Sequence, residues 1–294
     1  MRLHVVHETH YRYTAPVVLS QQLLHLTPRE LPWQTCAACR LSIQPAASEM
    51  LERADYYGNR TVHVLVAAPH EALIVRAESE VSVKPRAQSA LNAPRAPWEA
   101  VRSQIGVEAA EFLYDSPRVE RSRELADYAL KSFAQRRGIL ESAVDLVRRI
   151  HRDFKFDSTA TSVSTPLRQV LKERRGVCQD FAQLMTGCLR SIGLPARYVS
   201  GYLLTAPPPG RPRLVGADAS HAWASIWCGE GSGWVDLDPT NNCIVDDAHV
   251  TLGWGRDFGD VTPMRGVILG GGRQQLAVRV TVTPVVQTLE SEYQ

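Results

Sequence analysis

No apolar run in this 294-residue chain approaches the roughly 18 residues that read as a membrane-spanning helix. The opening MRLHVVHETHYRY lacks the apolar stretch of a secretory signal. An excess of one charge is missing too. Lys+Arg 33 against Asp+Glu 31 leave a formal net charge of +2, with the signs interspersed, which excludes the one-sided basic footprint of a nucleic-acid binder. The six cysteines, at 36, 39, 178, 188, 228 and 243, are too scattered for a disulfide framework. These absences predict a soluble, cytoplasmic protein with reduced thiols and neither a membrane nor a nucleic-acid partner. Internal repeats and low-complexity blocks are absent as well. What is there is ordinary globular composition, 44% hydrophobic and 22% charged, and enough length for one large or two ordinary domains.

The first hundred residues read as β. Leu3, Val5 and the Tyr11/Tyr13 pair alternate with polar positions, residues 61–66 (TVHVLV) and 73–77 (LIVRA) are β-branched runs, and 80–84 (EVSVK) alternates cleanly. Breaks such as Gly58-Asn59 and Ala68-Pro69 fit an antiparallel sheet or sandwich. Residues 85–97, rich in Pro, Ala, Arg and Asn, have no periodicity and form the candidate linker. Beyond them the period turns helical. Leu125, Tyr128, Ala129 and Phe133 share one face, as do Val144, Val147 and Ile150. Thr165-Pro166 opens a shorter helix, with Pro at its first position, that ends at Gly176. A long helix starts near Cys178, carries Phe181, Leu184, Met185, Cys188, Leu189 and Ile192 along one stripe, and stops at Gly193-Leu194-Pro195. Strands follow at 196–204, 221–227, 233–238 and 276–282. Helices followed by strands without strict alternation define an α+β class. The expected organisation is a β-rich N-terminal domain over 1–96 and an α+β core with a C-terminal strand extension over 97–294.

One constellation stands out. Cys178, in RRGVCQDFAQL, sits at a predicted helix start, where the macrodipole and unpaired backbone N–H groups stabilise a thiolate. Gly176 lets the chain turn into that helix, and the same N–H groups suit an oxyanion. A nucleophilic thiol needs a base, and the base needs an orienting acceptor. His221, opening the strand HAWASIW after a Pro-rich loop, is the best placed of nine histidines. The partner strand WVDLDPT brings Asp236 and Asp238 toward it. Both lie on one face, so alternation does not choose between them.

These phrases carry a resemblance. GVCQDFA, then HAW, then WVDLDPT are similar to the active-site segments of the transglutaminase-like superfamily of cysteine enzymes. HETHYRYT near the start and WGRDFGDV with Arg265-Gly266-Val267 near the end resemble its bacterial branch, so nearly the whole chain is covered. The resemblance implies a papain-like core. Its triad would have Cys178 as nucleophile, His221 as general base and acid, and Asp238, the Asp before Pro-Thr, as orienter. Metal and other cofactors are not required in that branch, and no acidic calcium loop is present. The chemistry expected is attack by the thiolate on an amide or ester carbonyl of a peptide or protein, with a thioester intermediate. Gln179 is a candidate oxyanion donor and Trp223 a candidate wall of the cleft. Water as acceptor gives a protease or amidase, the favoured outcome, and a lysine amine gives a transglutaminase. A non-catalytic scaffold on the same fold is the third reading.

Other features read more simply. Cys36-Ala-Ala-Cys39 is a lone C-x-x-C with no second ligand pair, so the sequence suggests small strand residues rather than a metal or redox centre. His4, His7 and His10 cannot converge from one strand, because His7 faces away from the other two. At least one of Trp223, Trp227 and Trp234 should be core. Arg174 and Arg175 read as solvated surface close enough to Cys178 to support a thiolate.

Overall fold

The computed structural model describes residues 1–92, 96–205 and 220–285. Five strands come first: β1 (Arg2–Leu24), β2 (Gln34–Gln44), β3 (Glu49–Ala54), β4 (Arg60–Val66) and β5 (His70–Val83). Helices α1 (Ala87–Leu91), α2 (Trp98–Ser103), α3 (Val107–Ala110), α4 (Arg123–Leu130) and α5 (Ile139–Asp153) follow. The short strand β6 (Lys155–Phe156) then leads to α6 (Leu167–Glu173), β7 (Arg175–Gly176) and α7 (Cys178–Ser191). The second group of strands is β8 (Ala196–Leu203), β9 (Ser220–Trp227), β10 (Trp234–Asp238), β11 (Cys243–Ile244) and β12 (His249–Gly255). The last described strands are β13 (Met264–Gly270) and β14 (Gln274–Pro284). Among the described residues no helix is long and apolar enough to cross a membrane.

The first sheet is organised around β1. Its alternation buries Leu3, Val5, His7 and Thr9 on one face and leaves His4 and His10 on the other. The runs at 73–77 and 80–84 are one strand, β5, because neither Gly nor Pro separates them. The register of β1 against β5 jumps between Arg12 and Val17, where Pro16 cannot donate to a ladder. Past that irregularity β1 pairs with β4 instead.

Two expectations need correction. The last strands are not an extension of the α+β core: β14 pairs with the first half of β1 and β13 with the second. Leu3 and Val5 need a cover, and Val280 and Val282 join them in one buried cluster. Nor is the segment 85–97 a bare linker. It contains α1, and Arg86 is anchored to the second group of strands, its backbone N–H donating to Asp246 at 2.6 Å and its guanidinium to Asp236 at 3.0 Å.

The second sheet is antiparallel in the order β11-β10-β9-β8-β12. Helix α7 packs against β8 and β9, and α4, α5 and α6 complete the apolar core with Leu184, Met185, Leu189, Ala224 and Ile226 at its centre. The stop after α7 is as expected, with Gly193 at φ 80°. Helix α6 differs at both ends. Pro166 is its N-cap rather than its first residue, and Arg174, left-handed at φ 57°, ends it two residues before Gly176. The Arg174 guanidinium stacks on Tyr128 and Phe154, 4.8 and 4.7 Å from their ring centres, which holds this unusual conformation.

The two sheets meet along β12, an edge strand whose free backbone groups need partners. Side-chain amides of the first sheet supply them. Gln34 accepts from Thr251 N–H and donates to Thr251 C=O, both at 2.8 Å. Asn59 accepts from Trp254 N–H at 3.0 Å and donates to its C=O at 2.8 Å. Gly253 lies between these clamps, and a Cβ there would come within 2.7 Å of the Asn59 side chain. Beside the clamps, Arg29 and Arg197 both stack on Trp254, at 3.6 and 3.8 Å.

Candidate active site

Helix α7 begins at Cys178. Val177 ahead of it is extended, and its N–H is accepted at 2.8 Å by Asp180, the third residue of the helix. Asp180 also accepts from Thr161 Oγ1 at 2.6 Å, and burial raises its pKa above the usual carboxylate value. Gly176 is needed for close approach, because a Cβ there would sit 2.7 Å from the Asp180 carboxylate. This packing fixes the helix start and with it the thiol. Cys178 is half-buried against the cluster of Ala182, Tyr198, Ala222 and Val261, and its Sγ lies 3.9 Å from the Ser220 carbonyl oxygen.

His221, the second residue of β9, follows Ser220 directly. Its Nε2 donates to Asp238 Oδ2 at 2.7 Å, and Cys178 lies near enough for its sulfur to act on the imidazole. Burial opposes a charge on this imidazole, but the Asp238 carboxylate hydrogen-bonded to it and the neighbouring Cys178 sulfur outweigh it and push its pKa up to about 10. The structure thus brings Cys178, His221 and Asp238 together.

Asp238 is fully buried at the end of β10. Its Oδ1 accepts the backbone N–H groups of Thr240 and Asn241 at 2.9 and 3.1 Å. Its Oδ2 accepts from His221, from Asn241 Nδ2 at 2.7 Å and from His249 Nε2 at 3.2 Å. Burial alone would raise this carboxyl, yet the donors hold it well below the usual carboxylate range. Asp236, two residues earlier on the same face, takes the Arg86 ion pair instead.

Sequence reasoning missed two members of this cluster. Asn241 was visible in principle, since an Asp followed two and three residues later by N–H groups that it caps is a turn signature. His249 had no such signal. It reaches Asp238 only because Leu203 pairs with it, while Gly201, two residues earlier on the same face, pairs with both Thr251 and His221, placing both histidines on one sheet face. Gly201 matters for another reason: a Cβ there would sit 2.5 Å from the Trp223 ring. Trp223 therefore lies flush over it, its ring 5.3 Å from His249 and 6.1 Å from His221. Trp223 is fully buried, so it supports the imidazoles from below and does not form a cleft surface. Trp227 and Trp234 are packed edge to face, 5.5 Å apart, against the main core. Gln179 is half-buried at the second helix position. Arg174 is engaged by its two rings, and Arg175 pairs with Glu173 at 3.1 Å. Residues 206–219, including the Pro-rich loop before His221, lie outside the described residues.

One ligand atom from each of His221, Asp238 and His249 lies within 4.8 Å of the other two, a donor set that a metal could use. Zinc, however, needs about 2.0–2.2 Å to each ligand in an open tetrahedron. Here Oδ2 already accepts three hydrogen bonds, so the geometry is that of a shared carboxylate.

Comparison with known proteins agrees with this architecture. The profile of the bacterial transglutaminase-like N-terminal region matches residues 3–82, and that of the transglutaminase-like superfamily matches residues 126–239. An uncharacterized protein of Mycobacterium tuberculosis is 42% identical over 291 residues, covering 96% of this chain and 93% of its own. A protein-glutamine gamma-glutamyltransferase of Pseudomonas aeruginosa is 34% identical over 123 residues, 41% of this chain and 18% of its own. A crystal structure from Cytophaga hutchinsonii, provisionally described as a cysteine protease, superposes with a TM-score of 0.76 at 18% identity. It covers 96% of this chain and 90% of that one, and shows the same fold. The chain belongs to the transglutaminase-like superfamily, with the bacterial transglutaminase-like N-terminal region preceding the core.

Proposed function

We propose that the protein is a cysteine-dependent acyl-transfer enzyme that cleaves amide bonds of a peptide or protein, water being the usual acceptor. The observation carrying this reading is His221 placed beside Cys178 at the start of α7 and hydrogen-bonded to the buried carboxylate of Asp238, with its pKa pushed up to about 10. An imidazolium beside the sulfur favours the thiolate, the nucleophilic form. The thiolate attacks the carbonyl carbon. N–H groups at the start of α7, with Gln179 as a further donor, face the developing oxyanion. His221 gives its proton to the leaving amine, and a thioester remains on Cys178. His221, now neutral, takes a proton from water as the water oxygen attacks the thioester carbon. The C–S bond breaks, the acid leaves, and the Cys178 thiolate beside a protonated His221 is restored. Asp238 holds the ring in the required tautomer throughout.

A second reading rests on the local likeness to the Pseudomonas aeruginosa protein-glutamine gamma-glutamyltransferase. There a lysine amine replaces water. Both readings are tested by incubating the full chain with a fluorogenic peptide-amide library and, separately, with a glutamine-rich protein and a labelled primary amine. Hydrolysis faster than amine incorporation, lost by on the order of 10³-fold or more in Cys178→Ala, supports the proposal. Incorporation outpacing hydrolysis assigns the transferase. Turnover undiminished in Cys178→Ala would refute both.

A further inference from the structure

The C-x-x-C of strand β2 has a geometry that its spacing does not reveal. Residues three apart on a regular strand point to opposite faces. Strand β2 is not regular there. Cys36 stands opposite Val81 of β5, while Ala38 stands opposite the very next residue, Glu80, so Ala37 is an inserted β-bulge residue. Cys39 then stands opposite Ser79. Val81 and Ser79 are two apart and share a buried face, so the bulge returns Cys36 and Cys39 to the same side of β2. Two rungs of strand at about 3.3 Å each set the Cα atoms roughly 6.6 Å apart. That lies within the upper part of the range a disulfide spans, about 4.4–6.8 Å.

The two thiols lie close enough to influence each other and differ in surroundings. Cys36 is half-buried, packed beside the cluster of Leu3, Val5 and Tyr202, and its S–H has the Ala38 carbonyl at 3.3 Å as an alternative acceptor. Cys39 is exposed at the sheet edge. The neighbouring Cys36 thiol outweighs burial and, with Thr27 and the charge of Arg60, pushes Cys39 down to about 7. The same contact pushes Cys36 up. A low-lying, accessible thiol beside a protected partner is the arrangement of an attacking and a resolving cysteine. A metal centre fits less well, because among the described residues no third His, Cys, Asp or Glu brings a ligand atom within 4.8 Å of both sulfurs.

We propose that Cys36 and Cys39 form a redox-active dithiol on the first sheet, oxidised reversibly by low-molecular-weight disulfides and separate from the Cys178 site. The Cys39 thiolate attacks one sulfur of glutathione disulfide, and one glutathione leaves as its thiolate and takes a proton from water. Cys36 loses its proton to solvent and attacks the Cys39 sulfur of the mixed disulfide, displacing the second glutathione. Two protein thiols are oxidised and one disulfide is reduced to two thiols.

The test uses the full chain with glutathione disulfide at pH 7.5, trapping of remaining thiols with N-ethylmaleimide, and peptide mass spectrometry. The wild type should lose two hydrogens across the peptide holding both cysteines, reversibly with dithiothreitol. Cys36→Ser should accumulate a glutathione adduct on Cys39. Cys39→Ser should leave Cys36 modified at least ~10-fold more slowly. A persistent adduct on wild-type Cys39, or modification there no faster than at Cys243, would overturn the proposal. None of these readouts depends on catalytic turnover.

Discussion

Asp238 is the residue on which the candidate site turns, and its behaviour can be read through pH. His221 is raised to about 10, so in the wild type leaving-group protonation is available through neutral pH and is lost as pH rises through about 10. The account predicts that kcat/KM for an amide substrate falls along that limb while alkylation of Cys178 does not. In Asp238→Asn the charge is gone and burial dominates. The limb should move down by more than one pH unit, and kcat should drop by on the order of 10²–10⁴-fold. His249 is a positioning residue in this scheme, donating to the same oxygen at 3.2 Å. His249→Leu should lower kcat about 10-fold with little change in KM, and His249→Gln, which restores an N–H donor, should recover most of it. Recovery of folding without recovery of kcat would refute that role. At this scale the sequence was partly legible. The thiol at a helix start and the histidine at a strand start could be seen. Asp236 and Asp238 could not be told apart by alternation, and only the register shows Arg86 taking the first and His221 the second. His249 was invisible for the same reason.

Among the elements, α7 is the most legible in the sequence, because an apolar stripe bounded by Cys178 and Gly193 leaves little freedom. Strand β12 was the least legible. Its importance comes from side chains about 200 residues away, Gln34 and Asn59, which finish its edge. Asn59→Ala would leave Trp254 N–H and C=O without partners and should cost roughly 1–3 kcal/mol, read by urea unfolding. Because β12 carries His249, the same variant should slow turnover at temperatures where it remains folded. Full activity with unchanged unfolding would contradict this coupling.

In the whole molecule the last described strands complete the sheet around β1, which the order of predicted elements could not show, since pairing between positions as distant as Leu3 and Pro284 leaves no local trace. The contact between the sheets contains a titratable group. His7 is buried, with Thr9 Oγ1 at 3.0 Å and the Tyr202 hydroxyl at 3.1 Å, and burial lowers its pKa to about 4. Unfolded, it would take a proton near 6.5, so between about 6.5 and 4 the unfolded state binds more protons and stability falls as pH falls. The loss should approach about 3 kcal/mol across that window, and His7→Gln should flatten it. An unchanged slope in thermal unfolding against pH would assign the acid sensitivity elsewhere.

The central claim is that Cys178 and His221 work as a pair. It is tested most directly by iodoacetamide alkylation of every cysteine from pH 5 to 9, read by peptide mass spectrometry, in the wild type and in His221→Ala. The account predicts that wild-type Cys178 reacts rapidly below pH 7, far ahead of Cys188 and Cys243, and that it loses this advantage in His221→Ala. Wild-type Cys178 reacting no faster than Cys243 would contradict it.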